Sequence, residues 1–215
     1  MNRLVYALLL VLILSACSAK NATTLPVVTN TVLPPSPTPI ATTEPGECRL
    51  TPVLVPTKPA VIPGYTQLDE TTNLHMTGFV QELDLESYLL KITGLVEQPL
   101  TLSLDDLRCL PKVTQRTTLT CPGNFDDVAT WSGTPLKPLL EMAGLKPEAK
   151  SVLLHSADGY EAFLLLEDAL REDNFLAYEW EGQPLPILHG FPLRAVIPSF
   201  PGAKWTKWLI EIIVK

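Results

Sequence analysis

The sequence predicts a β-rich α+β domain carried behind a long Pro/Thr-rich linker, and three observations carry that prediction. From Tyr88 onward, short runs of β-branched, aromatic and aliphatic residues are separated by clusters of Gly, Pro, Asn and Asp, the punctuation of short strands. Helical spacing of apolar residues occurs in only a few short places. Before the domain, from Ser18 to Pro63, composition shifts to Pro, Thr, Val and Ala with few charges and no sustained period.

The N-terminus opens with Arg3, an apolar run from Leu4 to Ile13, and then Leu14-Ser15-Ala16-Cys17. The run is too short for a membrane-spanning helix and reads as a signal peptide. Leu-Ser-Ala-Cys resembles the bacterial lipobox, which implies cleavage before Cys17 and acylation of its sulfur, with palmitate as an expected chain. Residues 1–16 are thus expected to be a lipoprotein signal, 17–63 a lipidated cysteine with its linker, and 64–215 the folded domain. The expected location is the extracytoplasmic side of the cell membrane, held by the lipid anchor. Ten prolines between Pro26 and Pro63 favour polyproline II, so the linker would reach on the order of 100 Å at full extension.

Within the domain, Tyr88 to Gly94 reads as a strand closed by glycine. Ser103 followed three residues later by Asp106 is a capping box, with Leu107 and Leu110 behind it and Pro111 as the stop. Arg116 to Thr120 reads as a strand that must turn at Cys121, because Pro122 removes a donor and Gly123 permits positive φ. Thr134 is the expected cap, and Pro135 the first residue, of a helix whose apolar face is Leu136, Leu139, Leu140 and Ala143. The segments 151–155 and 161–166 flank the turn Ala157-Asp158-Gly159-Tyr160 as a strand pair. A short helical piece over 166–171 and strands at 175–180, 193–197 and 208–214 complete the reading.

The formal charge of −7 disfavours nucleic acid as a partner. Charge is unevenly spread. Between Cys121 and Pro184 acids outnumber Lys and Arg twelve to four, whereas from Pro186 onward Arg194, Lys204, Lys207 and Lys215 face Glu211 alone. Such a reversal suits a pocket for a phosphorylated ligand, or a strand edge guarded by lysines. Arg194 sits inside the apolar run Phe191-Pro192-Leu193-Arg194-Ala195-Val196-Ile197 and needs a carboxylate or a ligand anion.

Four motifs in order, Thr120-Cys121-Pro122-Gly123-Asn124, Trp131-Ser132-Gly133-Thr134-Pro135-Leu136, Ser156-Ala157-Asp158-Gly159-Tyr160 and His189-Gly190-Phe191-Pro192-Leu193-Arg194, are followed by Pro198, Gly202, Lys204, Lys207 and Trp208. Together they resemble the molybdopterin-binding domain of the sulfite oxidase family. The resemblance implies a β-rich α+β fold and a molybdenum-molybdopterin cofactor whose metal is ligated by Cys121, beside Asn124. It implies pterin-phosphate contacts from Arg194, Gly202, Ala203 and Lys204. Lys207 is a weaker candidate, His189 is expected to shape its turn, and Asn73 and His75 are weak matches to the upstream pterin-contacting segment. The implied activity is two-electron oxygen-atom transfer on a small substrate, with a haem protein or membrane subunit as electron-transfer partner. Asp126 and Asp127 at the pocket mouth would repel sulfite, so a neutral sulfoxide is the preferred substrate.

Molybdopterin proteins normally leave the cytoplasm folded behind a twin-arginine signal, whereas Asn2-Arg3-Leu4 holds one arginine. The alternative reading is therefore an exported, cofactor-free ligand-binding or interaction module on the same fold. Of the cysteines left after Cys17, Cys48 and Cys109 pairing would leave Cys121 free, while a Cys109–Cys121 bridge would abolish metal binding.

Overall fold

The computed structural model describes residues 48–215; Cys17, the signal segment and the linker up to residue 47 lie outside the described residues. In chain order the elements are β1 (Leu68–Asp69), β2 (Leu74–His75), β3 (Leu90–Gly94), β4 (Leu100–Leu102), α1 (Leu104–Arg108), β5 (Val113–Cys121), β6 (Phe125–Pro135), α2 (Leu136–Ala143), β7 (Ser151–Ser156), β8 (Glu161–Leu165), α3 (Leu166–Ala169), β9 (Phe175–Trp180), β10 (Gln183–Pro184), β11 (Arg194–Val196) and β12 (Leu209–Val214). Strands dominate and the helices are short, so the fold is β-rich α+β as expected.

Two five-stranded sheets share one core. The first runs β4-β3-β12-β7-β8, with β12 parallel to β3 and the remaining pairs antiparallel. The second runs β10-β9-β6-β5, with β11 also paired to β9. Leu90, Ile92, Leu154 and Ile212 of the first sheet, Trp131, Phe175 and Leu176 of the second, and Leu136, Leu139 and Leu140 of α2 are all buried in that core. Removing such side chains from water is the main driving force holding the two layers together.

The capping box forms as the spacing predicts: Ser103 accepts from the Asp106 amide, and the Asp106 carboxylate accepts from the Ser103 amide at 2.8 Å. Thr134 does not cap α2. Its hydroxyl donates to Leu107 O at 2.7 Å instead, tying the end of β6 to α1, and Pro135 stands at the cap position. The first free donor of α2, the Leu136 amide, is satisfied by Asn174 O at 3.0 Å, so a tertiary partner replaces the local cap.

The hairpin β5–β6 is longer than the sequence implies. All nine residues of β5 pair with β6, from Val113 opposite Gly133 to Cys121 opposite Phe125. On its other side β6 pairs with β9 across a register shift at Ser132 and Gly133. A Cβ on Gly133 would lie 1.9 Å from Leu176 O, so only glycine permits this close backbone approach.

Cys48 and Cys109 form a disulfide, and among the described residues Cys121 is the free cysteine. Residues 49–63 form no helix or strand. They are held against the domain by that bridge, by the Arg108 guanidinium donating to Thr51 O at 2.8 Å, and by Val53 on the core. Among the described residues no helix is long and apolar enough to cross a membrane.

Candidate functional site

One end of the molecule gathers the turn between β5 and β6, the β1–β2 pair, the β7–β8 turn, the Ile187–His189 turn and the segment 202–208. Between them lies a cleft of about 470 Å³ whose lining includes Cys121, His75, Asp127, His189, Arg194 and Lys207. Period-two alternation places these groups: along β5, Leu119 and Cys121 face inward, and along β6, Phe125, Asp127 and Trp131 do the same. Cys121 is partly exposed. Asn124 lies on the exposed turn, its side-chain amide 3.5 Å from Cys121 Sγ.

Arg194 is 2% exposed. Its guanidinium lies 4.5 Å above the Trp131 ring and 5.8 Å from that of Trp205. Nη1 donates to His189 O at 3.2 Å, while Nε and Nη2 are buried without a partner among the described residues. Burial pulls its pKa down to about 9. Nε and Nη2 form the side-on edge of the guanidinium, the edge that grips two oxygens of one oxyanion. A buried unpaired cationic edge is costly, and an oxyanion would satisfy it.

Lys207 reinforces the cationic end. Its buried ammonium donates to Thr77 O at 2.7 Å and Leu188 O at 3.0 Å, and lies 5.2 Å from the Trp208 ring. Burial, then the neighbouring Arg194 charge, hold its pKa well below the ordinary lysine value. Lys207 lines the cleft with Arg194. The Lys204 ammonium points elsewhere, donating to Phe163 O at 2.7 Å on β8, where it caps an outward carbonyl of an edge strand. Gly202 and Ala203 do line the cleft.

His189 is buried, with Nε2 3.0 Å from Asp69 Oδ2 and 2.9 Å from Thr72 Oγ1. Burial and the Lys207 charge push its pKa down to about 3, so it is a neutral fixture of its turn. Gly190 follows it at φ 112°, and a Cβ there would meet Arg194 Cβ at 3.0 Å and Lys207 Cα at 3.2 Å. The His-Gly pair therefore lets that turn close over the two cations.

The two carboxylates expected at the mouth separate. Asp126 faces solvent on the outer side of β6, while Asp127 faces the cleft and is 6% exposed. Asp127 is not a free charge: Oδ1 lies 2.7 Å from His75 Nδ1 and Oδ2 accepts from the His75 amide at 2.8 Å. Sequence reasoning could not pair two residues so far apart in the chain. Around the mouth stand three exposed aromatic residues, Tyr65, Phe79 and Tyr160. Asp158 accepts from the amides of Phe79 and Tyr160 at 3.1 and 3.0 Å, which joins two sides of that rim.

Among the described residues no group of three or more His, Cys, Asp and Glu is arranged to hold a metal ion. Cys121 offers a single soft sulfur, so a metal bound there must bring its other ligands with it. A free thiol near an unpaired guanidinium edge suits a ligand with a thiophilic centre and an anionic tail.

A family model described as the oxidoreductase molybdopterin binding domain matches residues 77–215. The chain is 37% identical over 129 residues to the uncharacterized oxidoreductase YuiH of Bacillus subtilis, across 59% of this chain and 64% of that protein. It is 33% identical over 166 residues to the sulfite oxidase of Arabidopsis thaliana, across 60% of this chain and 42% of that enzyme. Among solved structures, the sulfane dehydrogenase SoxCD of Paracoccus pantotrophus superposes with a TM-score of 0.60 at 30% identity, covering 63% of this chain and 40% of that one. The chain thus spans 64% of the length of the first of these relatives and less than half of the other two.

Proposed function

Because the chain belongs to the oxidoreductase molybdopterin-binding domain family, we propose that it is a membrane-anchored, extracytoplasmic oxidoreductase that uses a molybdenum-molybdopterin cofactor to move an oxygen atom to or from a small neutral substrate. One observation carries this reading. Arg194, whose Nε and Nη2 have no partner among the described residues, lines the same cleft as Cys121 with its free thiol, and that donor set fits a cofactor with a phosphate at one end and a thiophilic metal at the other. Cys121 would supply the thiolate, Arg194 and Lys207 the cationic seat for the phosphate, and Gly202 and Ala203 the wall beside it. When bound, the cofactor supplies two-electron redox chemistry coupled to oxygen-atom exchange. The protein binds it, orients it and shapes access to it.

The rim favours a neutral substrate such as a sulfoxide. Both oxygens of Asp127 are taken by His75, and the mouth presents the rings of Tyr65, Phe79 and Tyr160 rather than arginines. Arg194 and Lys207 are buried and so are not free to receive sulfite at the surface. The Cys48–Cys109 bridge supports an oxidising compartment, which agrees with export and a lipid on Cys17. An electron-transfer partner, a haem protein or membrane subunit, completes the reading, because the cofactor must exchange electrons with something outside the chain.

Elemental analysis of protein purified from its own host, with Cys121→Ser beside it, tests the reading. Stoichiometric molybdenum in the wild type and its loss from the variant are expected. Equal traces in both would favour a cofactor-free binding module.

A further inference from the structure

His75 and Asp127 form a polar pair in the wall of the cleft that Arg194 and Lys207 also line, and the Asp127 carboxylate is near enough to act on both of those cations. The carboxylate takes both the backbone N–H and the Nδ1 of the same histidine, at 2.8 and 2.7 Å. The imidazole lies flat on the Phe125 ring, centroids 4.2 Å apart and planes at 9°. Phe125 is the residue opposite Cys121 in the hairpin register. Two hydrogen bonds to one carboxylate and a stacked ring leave the imidazole a single orientation. With its proton on Nδ1, the neutral ring leaves Nε2 bare, and Nε2 has no hydrogen-bond partner among the described residues.

The other two imidazoles make the contrast. His189 has Nε2 tied to Asp69 and Thr72 inside the protein. His155 pairs with Glu161 across β7 and β8 and lines no part of the cleft. Only His75 offers an open ring nitrogen to the site. The other titratable groups lining the cleft are Cys121, Asp158, Arg194, Lys207, Tyr65 and Tyr160. Lys207 and Asp158 are already committed to the bonds given above, and the Arg194 guanidinium is a donor-only cation with no lone pair to take a proton.

We propose that His75 is the proton-exchanging residue of this site, with Asp127 as its positioning residue. The proposal rests on the oxygen-atom-transfer reading. Oxygen transfer to a substrate X balances as X + H2O → XO + 2 e⁻ + 2 H⁺, and removal of oxygen is the reverse. The O–H bonds of water break as the X–O bond forms, and the electrons pass to a one-electron carrier protein. Nε2 accepts one proton in the forward direction and returns it in the reverse, while the second exchanges with solvent. The Asp127 carboxylate holds the Nδ1 proton and stabilises the imidazolium that forms.

Two measurements test this. Molybdenum-loaded wild type, His75→Gln, Asp127→Asn and His155→Gln are compared in the reduction of dimethyl sulfoxide by reduced benzyl viologen, with kcat and KM followed against pH. His75→Gln should keep its molybdenum and its KM, lose kcat roughly hundredfold, and lose one limb of the pH profile. Asp127→Asn should lie between it and wild type, and His155→Gln should match wild type. Independently of turnover, ¹⁵N NMR of the cofactor-free protein should place the proton on His75 Nδ1, and Asp127→Ala should release a mixture of tautomers. Wild-type kcat and pH dependence in His75→Gln, or a proton found on Nε2, overturns the proposal and leaves the cofactor reading standing. No molybdenum or no viologen oxidation in the wild type overturns the oxygen-transfer reading itself.

Discussion

Arg194→Met is expected to lose the molybdopterin cofactor while making the cofactor-free domain more stable. The guanidinium is 2% exposed, and among the described residues its only hydrogen bond is 3.2 Å to His189 O and two of its nitrogens have no partner. Replacing a poorly paired buried ion by an apolar side chain of similar length commonly stabilises a protein by 1–4 kcal/mol, roughly. Against that gain stands the loss of stacking on Trp131, worth about 1–2 kcal/mol when desolvated. The difference runs from about −1 to about 3 kcal/mol and centres near 1 kcal/mol of added stability, read from urea unfolding at pH 7.5. Cofactor retention should move the other way. A bidentate charge-assisted contact with an oxyanion is about twice as strong as a neutral one, and its loss should lower molybdenum occupancy at least a hundredfold. Arg194→Lys keeps the charge but loses the fork, so it should sit between the two in occupancy. A methionine variant with full molybdenum, or one clearly less stable than wild type, would show that the guanidinium serves the fold and not a ligand.

That opposition of stability and function is the physical signature of a site, and part of it is visible in the sequence. Arg194 can be singled out because a charge in an apolar run has few explanations. Cys121 can be singled out because a strand ending in Cys-Pro-Gly-Asn must expose its last side chain at a turn. The strands at 88–94, 151–155, 161–166, 175–180 and 208–214 follow from β-branched runs between turn residues, and each has its counterpart in β3, β7, β8, β9 and β12.

The failures have a common cause. Strand β6 carries Asp126, Asp127, Ser132 and Gly133, residues with little intrinsic preference for a strand, and its form is imposed by β5 on one side and β9 on the other. Because β6 is missed, so is the alternation along it, and with that the fact that Asp127 faces inward and Asp126 outward. Lys204 and Lys207 cannot be ranked from charge alone. The segment folds Lys204 over the edge of β8 and turns Lys207 inward, a distinction made by tertiary packing three residues apart. The pairing of His75 with Asp127 spans 52 residues and has no local signal.

The buried bases also set the pH at which the domain is most stable, and here the second large effect is expected. His189 has a folded pKa of about 3 against an unfolded value near 6.5. Between those values the unfolded chain binds the extra proton, so stability is complete above pH about 6.5 and is lost as pH falls. At pH 5 the loss is about 2 kcal/mol, and by pH 4 it exceeds about 3 kcal/mol. Asp69 and Asp158 act in the same direction at lower pH. Burial alone would raise their pKa values, but hydrogen bonds, from Thr71, His189 and Thr72 for Asp69 and from Ser156 and the Tyr160 and Phe79 amides for Asp158, outweigh it and lower them. Their stabilisation is therefore present above the unfolded carboxylate pKa and fades as pH falls through the folded one. On the alkaline side, Lys207 is held well below its ordinary value and Arg194 at about 9, so relief of their desolvation continues above neutrality. Cofactor-free protein should thus be more stable at pH 9 than at pH 7, and more stable at pH 7 than at pH 5, where most proteins peak between pH about 5 and 8. His189→Gln, whose amide can replace the donor to Asp69, should flatten the limb between pH 5 and 6.5 and leave the alkaline rise. An anion seated on Arg194 and Lys207 should flatten the alkaline rise and leave the acid limb. Urea midpoints that do not differ between pH 5 and pH 8 would mean that the His189 imidazole takes up its proton freely in the folded state, and that this wall of the cleft is wet rather than buried.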